Sequence, residues 1–549
     1  MKTKYLLLSL VAALFVSCNL EEKPTSFVNH LSFYKNETQC RAALNSCYIP
    51  LNSIFTANFM MAVEGCTDIW YCTSSTVDAV LDVTPAKPQM GKNVWTQAYK
   101  GVMYCNECVD CISAADIDET AKMSMVAEAV VMRAFYYYIL TCFFGDVPFY
   151  TERVDCIETQ ERLRRLPRMS AYDTRQTLYD QIDMHQQYLE QVRANEVKEN
   201  RAGAAFGYML MAKFAMWNED FESALIPLHK LEEIYGELTE ERYPWEKNMW
   251  RYKNVDESIF ELQHEWSNTG VKYNGNVACI MMPRHEGDGI FNGVYLSEYG
   301  TSIPGWNSLR GNNYYGIFRP ANNGKKEETA STQEGGLFNP LPLTYDDELW
   351  KDQNRYYTKI DLDALKTFEI RGKKVDRRVV YKLGLGNLET GDTFTFVRQY
   401  GVVWPGPQFW CPDIVNTADG NNYHLFRYAD AVLMLSECYC QLENDVESMR
   451  YLNMIKARAG IDLYTSFSGF EDLTVEIRNE RAKELGGEFQ RKFDLVRWGI
   501  WYEQTYNYTN YTRLKEKMRP CHRYYPIPDT QCALSGGVLT NDEYKAAGL

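Results

Sequence analysis

Histidine is scarce in this chain of 549 residues, and the familiar motifs of catalysis are missing. The seven histidines are scattered, with no His-Glu-x-x-His, no Gly-x-Ser-x-Gly and no glycine-rich phosphate loop ending in Lys. His264-Glu265 and His285-Glu286 begin a zinc motif but lack its second histidine. The adjacent acids Asp346-Asp347 are more typical of a solvated helix start than of a glycosidase, which holds two carboxyl groups at a set separation. The sequence therefore predicts a protein that is not an enzyme and needs no cofactor, with a surface glycosidase as a remote alternative.

Positive charge is also in the minority. The chain has 58 Lys and Arg residues against 73 Asp and Glu residues, which gives a formal charge of −15. Removal of residues 1–17 takes away Lys2 and Lys4, so 56 basic residues then face 73 acidic ones and the charge becomes −17. An acidic body repels phosphate backbones and anionic lipid headgroups, so the composition argues against a nucleic-acid partner.

Long apolar runs are missing after the N-terminus. The run Tyr5–Val16 is too short for a bilayer, which needs about 20 apolar residues, but it has the proportions of a signal-peptide core. Ser17-Cys18 at its end resembles a bacterial lipobox, which predicts that Cys18 is acylated; an ordinary secretion signal is the alternative. Residues 18–35 then form a lipidated tether, and its acidic pair Glu21-Glu22 resembles a surface-export signal. We expect an outer-membrane protein that faces the cell exterior and contacts the membrane through its lipid anchor only.

Neither a disulfide framework nor a metal site is favoured by the cysteines. Apart from Cys18, 15 of them remain, and disulfide frameworks belong to small secreted scaffolds rather than to a chain with a large core. Cys105, Cys108 and Cys111 follow one another at helical spacing, but no histidine lies nearby. We interpret them as small buried apolar groups and predict no bound metal, with a metal site as the alternative.

Aromatic residues, by contrast, are abundant, at 14% of the chain with 39 Tyr and 12 Trp. Tyr and Trp suit wet binding surfaces because each has an apolar face and a polar tip. Apolar residues recur at helical spacing over 93–112, 121–144, 171–192, 201–217, 221–235, 427–442 and 446–459. The pairs within 201–235 and 427–459 have the length of a tetratricopeptide unit, about 34 residues.

Residues 241–420 have a different composition, rich in Gly, Asn, Pro and aromatics. Short strands are expected there, for example at Thr393–Tyr400. A long irregular stretch is usually functional or disordered, and disordered segments have few aromatics, so this region is predicted to be ordered and functional. We expect one domain over 36–549, with a helical scaffold at about 36–240 and 421–549 and the binding region between them.

Several segments resemble, in order, the SusD/RagB family of nutrient-binding outer-membrane lipoproteins. The residues that carry the resemblance are Trp95, Tyr99 and Asn106; Glu128–Tyr138 with Phe144–Pro148; Phe426–Met434 with Glu437; Leu452-Asn453 with Arg458-Ala459-Gly460; Ile477–Arg481 with Glu484-Leu485; Phe489 with Arg491–Gly499; and Tyr525–Pro528. They cover nearly the whole chain, and the departures are Gly486-Gly487 and the many cysteines.

This resemblance implies a mostly α fold, in which four tetratricopeptide-like helix pairs form a superhelix that supports a large, irregular ligand-binding insertion. It also implies non-catalytic binding of oligo- or polysaccharides and their delivery to a SusC-like TonB-dependent barrel in the outer membrane. Peptide binding, or a role mainly as a structural lid on the barrel, remains an alternative. A calcium ion is left undecided.

Glycan binding needs flat rings and planar hydrogen-bonding groups on accessible loops. We predict Trp306, Tyr314 and Tyr315 as stacking platforms, with Asn307, Arg310 and Asn312 as hydrogen-bonding groups. Asp68, Trp70 and Tyr71 occupy a turn-rich segment that matches the N-terminal ligand loop of the family, and Trp266 and Tyr273 are reserve candidates. The alternative for each is packing of its loop onto the scaffold.

The charged residues of the C-terminal motif are predicted to be structural. They alternate with apolar residues, which favours a buried ion network over a catalytic site. The set comprises Arg478, Glu480, Arg481, Glu484, Asp494 and Arg497.

Overall fold

The computed structural model of the protein describes residues 33–73, 76–247, 252–265, 274–281, 290–291, 294–295, 308–315, 337, 357–360, 369–370, 373–374, 376–378, 394–397 and 418–549. Several sequence predictions lie outside these residues: the signal peptide, Cys18, Trp266, Tyr273, His285, Trp306, Asn307 and Asp346-Asp347.

Helices form most of the N-terminal part. They are Glu37–Leu44 (α1), Ile49–Ile54 (α2), Ala57–Val63 (α3), Val77–Val80 (α4), Met90–Ser113 (α5), Glu119–Phe144 (α6), Ile157–Arg164 (α7), Ala171–His185 (α8), Ala204–Trp217 (α9) and Phe221–Tyr235 (α10). The middle region contributes Ala278–Met281 (α11). The C-terminal part contains Tyr428–Gln441 (α12), Asp445–Ala459 (α13), Phe470–Leu485 (α14), Arg491–Arg497 (α15), Trp501–Tyr508 (α16), Thr512–Lys517 (α17), Asp529–Leu534 (α18) and Asp542–Ala546 (α19).

The strands are short. They are Trp70–Cys72 (β1), Ser258–Leu262 (β2), Ile290–Phe291 (β3), Val294–Tyr295 (β4), Leu309–Gly311 (β5), Tyr357–Ile360 (β6), Glu369–Ile370 (β7), Lys373–Lys374 (β8), Phe394–Val397 (β9) and Tyr423–Arg427 (β10). They pair two by two and antiparallel, as β1/β5, β2/β10, β3/β4, β6/β9 and β7/β8. The strand expected within Thr393–Tyr400 is β9.

The helices stack as hairpins, which confirms the mostly α, tetratricopeptide-like scaffold. The sequential pairs α5/α6, α9/α10 and α12/α13 pack against each other across short turns. Helix α8 packs on both α6 and α9, but residues 186–203 separate it from α9, so it is not part of a tight hairpin. Because α10 packs on α12, the N-terminal and C-terminal parts of the chain share one stack.

Helix α6 is the centre of the core. The side chain of Asp118 caps its first turn by accepting the N–H of Ala121 at 2.9 Å, and the helix ends at Gly145 with φ of 72°. Every residue from Met125 to Phe144 is buried. In the described part of the chain, α6 is the helix with the length and apolarity to cross a membrane, contrary to the sequence expectation that no later segment has them. Its most apolar window is entirely covered by the rest of the protein, as in a core helix.

The cysteine stripe lies on α5, against this core. Cys105 and Cys108 are buried and Cys111 is half-buried, and the Cys47 and Cys108 sulfurs are 3.7 Å apart. Within the described residues, no group of three His, Cys, Asp or Glu side chains has the arrangement of a metal site. The thiols that the structure describes here therefore act as core side chains.

The β2/β10 pair joins the middle region to the C-terminal scaffold and carries a buried ion network. Arg458 on α13 donates from Nη1 to Glu257 at 2.7 Å and from Nη2 to Glu484 on α14. Arg427, at the end of β10, lies 2.8 Å from both of these carboxylates. Opposite charges thus neutralise each other where no water reaches them.

A second buried group of charges joins α14 to α15. Arg481 pairs with Asp494 at 2.9 Å, and Arg497 approaches the same carboxylate at 3.1 Å. The prediction of a structural network is confirmed for Glu480, Arg481, Glu484, Asp494 and Arg497. Arg478 is different, since its guanidinium lies over the Trp498 ring, 5.2 Å from the centroid.

Candidate functional site

Two segments that the sequence singled out separately lie side by side in the structure. Strand β1, from the N-terminal segment, pairs with β5, more than two hundred residues later in the chain. The register places Trp70 opposite Gly311 and Tyr71 opposite Arg310. Because side chains alternate across a strand, this ribbon turns Trp70 to one side and Tyr71 with Arg310 to the other.

The inward side of the ribbon is core, which corrects the prediction of Tyr315 as a stacking platform and of Trp70 as a residue of the ligand loop that contacts glycan. Each is 1% exposed, and their rings pack against each other with centroids 4.9 Å apart. The departure from the family motif at Gly486 is explained here, because a Cβ at that position would lie 2.6 Å from the Tyr315 hydroxyl. These two rings therefore pack onto the scaffold, which was the alternative interpretation for each of them.

Asp68 is also structural rather than ligand-binding. It is fully buried, and its two carboxylate oxygens accept hydrogen bonds from Nε and Nη2 of Arg491 at 2.8 and 2.6 Å. Gln504 donates a third hydrogen bond at 3.2 Å. This bidentate pair fixes the start of β1 to α15 and α16.

Asn312 is buried and holds neighbouring segments together, which corrects the prediction that its side chain forms hydrogen bonds with a glycan. Its Nδ2 donates to the carbonyl of Thr67 at 3.0 Å, and its Oδ1 accepts the N–H of Asn510 at 2.9 Å. Its own N–H donates to the carbonyl of Ile69 at 2.8 Å. Asn312 therefore holds together β1, β5 and the loop that follows α16.

Two pairs of partly exposed rings, Tyr314 with Tyr508 and Tyr71 with Tyr511, lie on segments that the Asn312–Asn510 hydrogen bond joins, and we call these four residues the tyrosine face. Tyr508 is 41% exposed, and one of its faces packs on Tyr314 with centroids 4.1 Å apart and planes inclined by 30°. Tyr71 and Tyr511 lie 5.8 Å apart with planes inclined by 31°. Three parts of the chain, near 71, 314 and 508–511, contribute to this surface.

Polar groups border the tyrosine face. The Tyr314 hydroxyl donates to Oδ1 of Asn479 on α14 at 2.8 Å, which fixes the ring. Burial raises the pKa of Tyr314, so this hydroxyl stays protonated and remains a donor. Arg310 is half-buried and shares the side of Tyr71. Flat rings and planar amide or guanidinium groups are the features that sugar faces and hydroxyls require.

The sequence analysis missed Tyr508 and Tyr511, and with them Tyr502 and Tyr506, which stack at 6.0 Å on the same helix α16. A signal was present, because residues 501–511 contain a Trp and four Tyr. Helix-face aromatics were assumed to be core, but α16 is short and on the surface, so its tyrosine rings reach solvent while Trp501 is buried.

The polar groups beside the face are engaged in structural contacts. Arg491 donates hydrogen bonds to both carboxylate oxygens of Asp68. His264, from the incomplete zinc motif, is buried against Tyr423 with centroids 4.2 Å apart, and burial lowers its pKa to about 4. The described surface can bind by stacking and hydrogen bonding.

Comparisons with known proteins match both ends of the chain. Residues 413–544 match the family model described as "SusD family", and residues 51–184 match "Starch-binding associating with outer membrane". SusD-like protein P25 of Formosa agariphila is 24% identical over 559 aligned positions, which cover 95% of this chain and 94% of that protein.

Solved structures show the same fold. A SusD superfamily protein from Bacteroides vulgatus has a TM-score of 0.65 at 17% identity and covers 93% of this chain and 100% of its own. Surface glycan-binding protein A from Bacteroides uniformis gives 0.63 at 17% identity, over 92% and 100% of the two chains. A laminarin-binding SusD-like protein gives 0.60 at 18% identity, over 91% and 98%.

The fold thus defines a protein of the helix-pair class, in which stacked helical hairpins support a second half with short strands. Residues 51–184 and 413–544 match models of SusD-like proteins, and the chain has the fold of solved SusD superfamily structures. The model that matches residues 51–184 describes starch binding and association with the outer membrane.

Proposed function

We propose that this protein binds glycans without cleaving them, and that the tyrosine face is part of the binding surface. The observation that carries the proposal is the pair Tyr508 and Tyr314, because one ring supports the other and leaves a flat face open to solvent. Two of the structural relatives are named for binding a surface glycan or laminarin, which supports the same class of ligand here.

The affinity expected from the tyrosine face suits a protein that must capture and then release its ligand. One sugar ring that covers roughly 60 Å² of an aromatic face gains about 1.5 kcal/mol. Stacking on Tyr508 and on the Tyr71–Tyr511 pair would then contribute about 3 kcal/mol. With a few hydrogen bonds, the dissociation constant falls in the micromolar to millimolar range.

The cellular setting is part of the proposal. Acylation of Cys18 would anchor the protein on the outer membrane with the tyrosine face outside the cell, and a SusC-like TonB-dependent barrel would receive the glycan. The family model for residues 51–184 names association with the outer membrane, which supports this location. Cys18→Ala should release the protein from the membrane fraction and abolish labelling by radioactive palmitate.

The binding claim is tested by calorimetric titration of the purified full chain with a panel of polysaccharides and peptides. Tyr508→Ala should weaken the binding of the polysaccharide that the parent binds by about tenfold, which corresponds to one stacked ring of about 1.5 kcal/mol. Tyr172→Ala is the matched control, since Tyr172 is an exposed tyrosine at 56% on α8, a helix outside the tyrosine face. It should bind as the parent does.

The contrary outcomes are distinct. Equal affinity of Tyr508→Ala and the parent would show that the tyrosine face is not part of the binding surface. Binding of peptides but of no polysaccharide would show that the ligand is a peptide rather than a glycan. New reducing ends in a bound polysaccharide would show that the protein is a glycosidase.

A further inference from the structure

Two side-chain amides lie beside the ring pair Tyr314–Tyr508 of the tyrosine face. Asn479 on α14 accepts the hydrogen bond of the Tyr314 hydroxyl at 2.8 Å. Gln504 lies four residues before Tyr508 on α16, and residues at this spacing share one side of a helix, with Cβ atoms about 5–6 Å apart. Both residues are half-buried, so each reaches the surface at the edge of the ring pair.

A hydrogen bond also ties Gln504 to the surroundings of Tyr314. The Nε2 of Gln504 donates to Oδ2 of Asp68 at 3.2 Å. Burial, and after it the charge of Asp68, raises the pKa of the Tyr314 hydroxyl, so this carboxylate lies close to that ring. Gln504 is thus held near both members of the ring pair, through Asp68 and through its position on α16.

The hydrogen-bond partners determine the orientation of each amide. A carboxylate only accepts hydrogen bonds, so Gln504 turns its NH2 group toward Asp68 and its oxygen away. Asn479 likewise donates from Nδ2 to Oε1 of Glu476 at 3.2 Å, and its Oδ1 faces the Tyr314 hydroxyl. The two amides therefore present defined donors and acceptors at the edge of the tyrosine face.

Each amide keeps hydrogen-bonding capacity that the described ranges of the chain do not use. An NH2 group has two N–H donors, and within those ranges Nδ2 of Asn479 uses one of them. In the same ranges Oε1 of Gln504 accepts no hydrogen bond, and it is not among the buried polar atoms without a partner, so it is open to solvent. A donor and an acceptor thus border the ring pair.

We propose that Asn479 and Gln504 select the glycan by binding hydroxyl groups of the sugar ring that stacks on Tyr508. The inference rests on the proposed function, since it concerns the same surface. Asn479 donates its second N–H to one hydroxyl oxygen, and Gln504 accepts the O–H of another. A hydroxyl group both donates and accepts, whereas a carboxylate only accepts, so the oxygen of Gln504 favours an unsubstituted hydroxyl at that position.

The existing hydrogen bonds make these amides suited to discriminate between sugars. Because Asp68 and Glu476 already hold the amides in place, little side-chain freedom remains to be lost on binding. A sugar that covers the two amides without offering hydroxyl groups leaves a donor and an acceptor without a partner. That loss distinguishes one ligand from another.

The test is calorimetric titration of the purified full chain with laminarin, starch, xylan and polygalacturonate. Gln504→Leu should bind the polysaccharide that the parent binds about three- to tenfold more weakly, because one hydrogen bond to a hydroxyl is lost. Thermal unfolding of the variant should agree with that of the parent within a few degrees, since Asp68 keeps its two hydrogen bonds from Arg491.

Gln176→Leu is the matched control. Gln176 on α8 also donates from Nε2 to an aspartate, Asp180, at 3.1 Å, but this helix contributes nothing to the tyrosine face. The control should bind as the parent does. A loss equal to that of Gln504→Leu would show that the effect does not depend on the position of the amide, and would overturn the inference.

Asn479 needs a comparison of its own, because it also fixes the Tyr314 ring. Tyr314→Phe removes the hydroxyl that Asn479 holds but keeps both rings and the amide. Asn479→Leu introduced into this variant should weaken binding by a further three- to tenfold or so, about one hydrogen bond. No further loss would show that Asn479 only positions the ring, and would overturn its role in selecting the sugar.

Chemical O-methylation of the bound polysaccharide tests the selection of hydroxyl groups directly. Methyl groups replace the hydroxyl protons that Oε1 of Gln504 accepts, whereas their bulk affects all variants alike. Methylation should therefore weaken binding by the parent more than binding by Gln504→Leu. Equal weakening of the two proteins would mean that Gln504 does not recognise a hydroxyl group.

The outcomes separate this inference from the proposed function. Binding that is weakened by Tyr508→Ala but unchanged in Gln504→Leu would overturn the inference and keep the glycan-binding function. Failure of all four polysaccharides to bind the parent would overturn both.

Discussion

Glu64, just after α3, is a fully buried carboxyl group without a cationic partner in direct contact among the described residues. Its Oε1 accepts the backbone N–H groups of Gln490 and Arg491 at 3.0 and 3.4 Å. In the described part of the chain, Oε2 has no hydrogen-bond partner. Burial raises the pKa of Glu64 from its usual 4.5 to about 8, against the opposing effect of those backbone donors. The carboxyl group is therefore protonated in the folded protein at neutral pH.

The sign of the stability effect follows from this shift. Between pH 4.5 and pH 8 the folded protein keeps a proton on Glu64 that the unfolded chain has lost. The stabilising contribution is thus complete below pH 4.5 and is lost as the pH rises through about 8. Between pH 5 and pH 8 the linkage relation gives a loss of about 3 to 4 kcal/mol in the free energy of unfolding.

The assay compares the parent with Glu64→Gln by urea denaturation at several pH values from 5 to 8. Gln keeps the shape and the acceptor oxygen but does not titrate, so the variant should gain about 3 to 4 kcal/mol relative to the parent over this range. The difference between the two proteins isolates Glu64. Other titrating groups cancel in this difference, because both proteins contain them. Burial raises the pKa of Asp419 to about 7, so its contribution to the pH dependence of stability has the same sign as that of Glu64. Burial lowers the pKa of His522 to about 4, so its contribution has the opposite sign. Parallel curves within about 1 kcal/mol would mean that Glu64 is ionised in the folded protein, and the reasoning would fail.

Two further predictions concern the scaffold. Arg458→Met should lower the free energy of unfolding by about 3–5 kcal/mol in urea denaturation at pH 7, because it leaves Glu257 and Glu484 buried with less positive charge nearby. This deficit should shrink toward pH 5, where the carboxylates left behind can take up protons. Gly101→Ala on α5 should cost about 1–3 kcal/mol by thermal or urea unfolding, because a Cβ there would overlap the buried Tyr136 ring.

Each of these two variants has a control on its own helix. Arg450→Met, also on α13, removes a half-exposed guanidinium that lies over the Tyr451 ring, and should change stability by less than about 1 kcal/mol. Gly91→Ala, also on α5, places its Cβ 3.0 Å from Tyr525, so it should be milder than Gly101→Ala. Equal losses within the arginine pair would show that burial does not determine the cost, and equal losses within the glycine pair would show that the distance from the added Cβ to its neighbour does not.

Much of the scaffold could be predicted from the sequence, because helical periodicity and terminal signals are local. The helix predicted over 221–235 matches α10, and the helix predicted over 121–144 ends at Phe144, as α6 does. The largest error in length is in the segment 171–192, where α8 ends at His185. Beyond it the chain forms a 3₁₀ turn at Gln186–Tyr188, in which the Gln186 side chain donates to the Ala204 carbonyl of α9. That contact joins residues far apart in the chain, and periodicity does not report such contacts.

The candidate site was harder to predict, because strand alternation decides which ring of a pair faces solvent. Trp70 and Tyr71 are neighbours with the same chemistry, yet one is 1% exposed and the other half-buried. Only the pairing of β1 with β5 settles which side each takes, and nothing in the loop composition around either strand indicates that pairing. Tyr508 was missed for the related reason that exposure of a helix face depends on what packs beside it.

The buried charges and the tyrosine face are parts of one arrangement. Arg491, from the C-terminal motif, holds Asp68 at the start of β1, and Asn312 ties β1 to β5 and to the loop before α17. The same α15 and α16 that supply these anchors lead directly to Tyr508 and Tyr511. A substitution at Arg491 should therefore weaken glycan binding as well as stability, since it frees the strand that positions Tyr71. Asp68→Asn keeps the shape of the side chain but loses the charge pair, so it should lower both glycan affinity and stability, by less than a substitution at Arg491. A loss of stability with unchanged affinity would show that the Asp68–Arg491 pair does not position the binding surface.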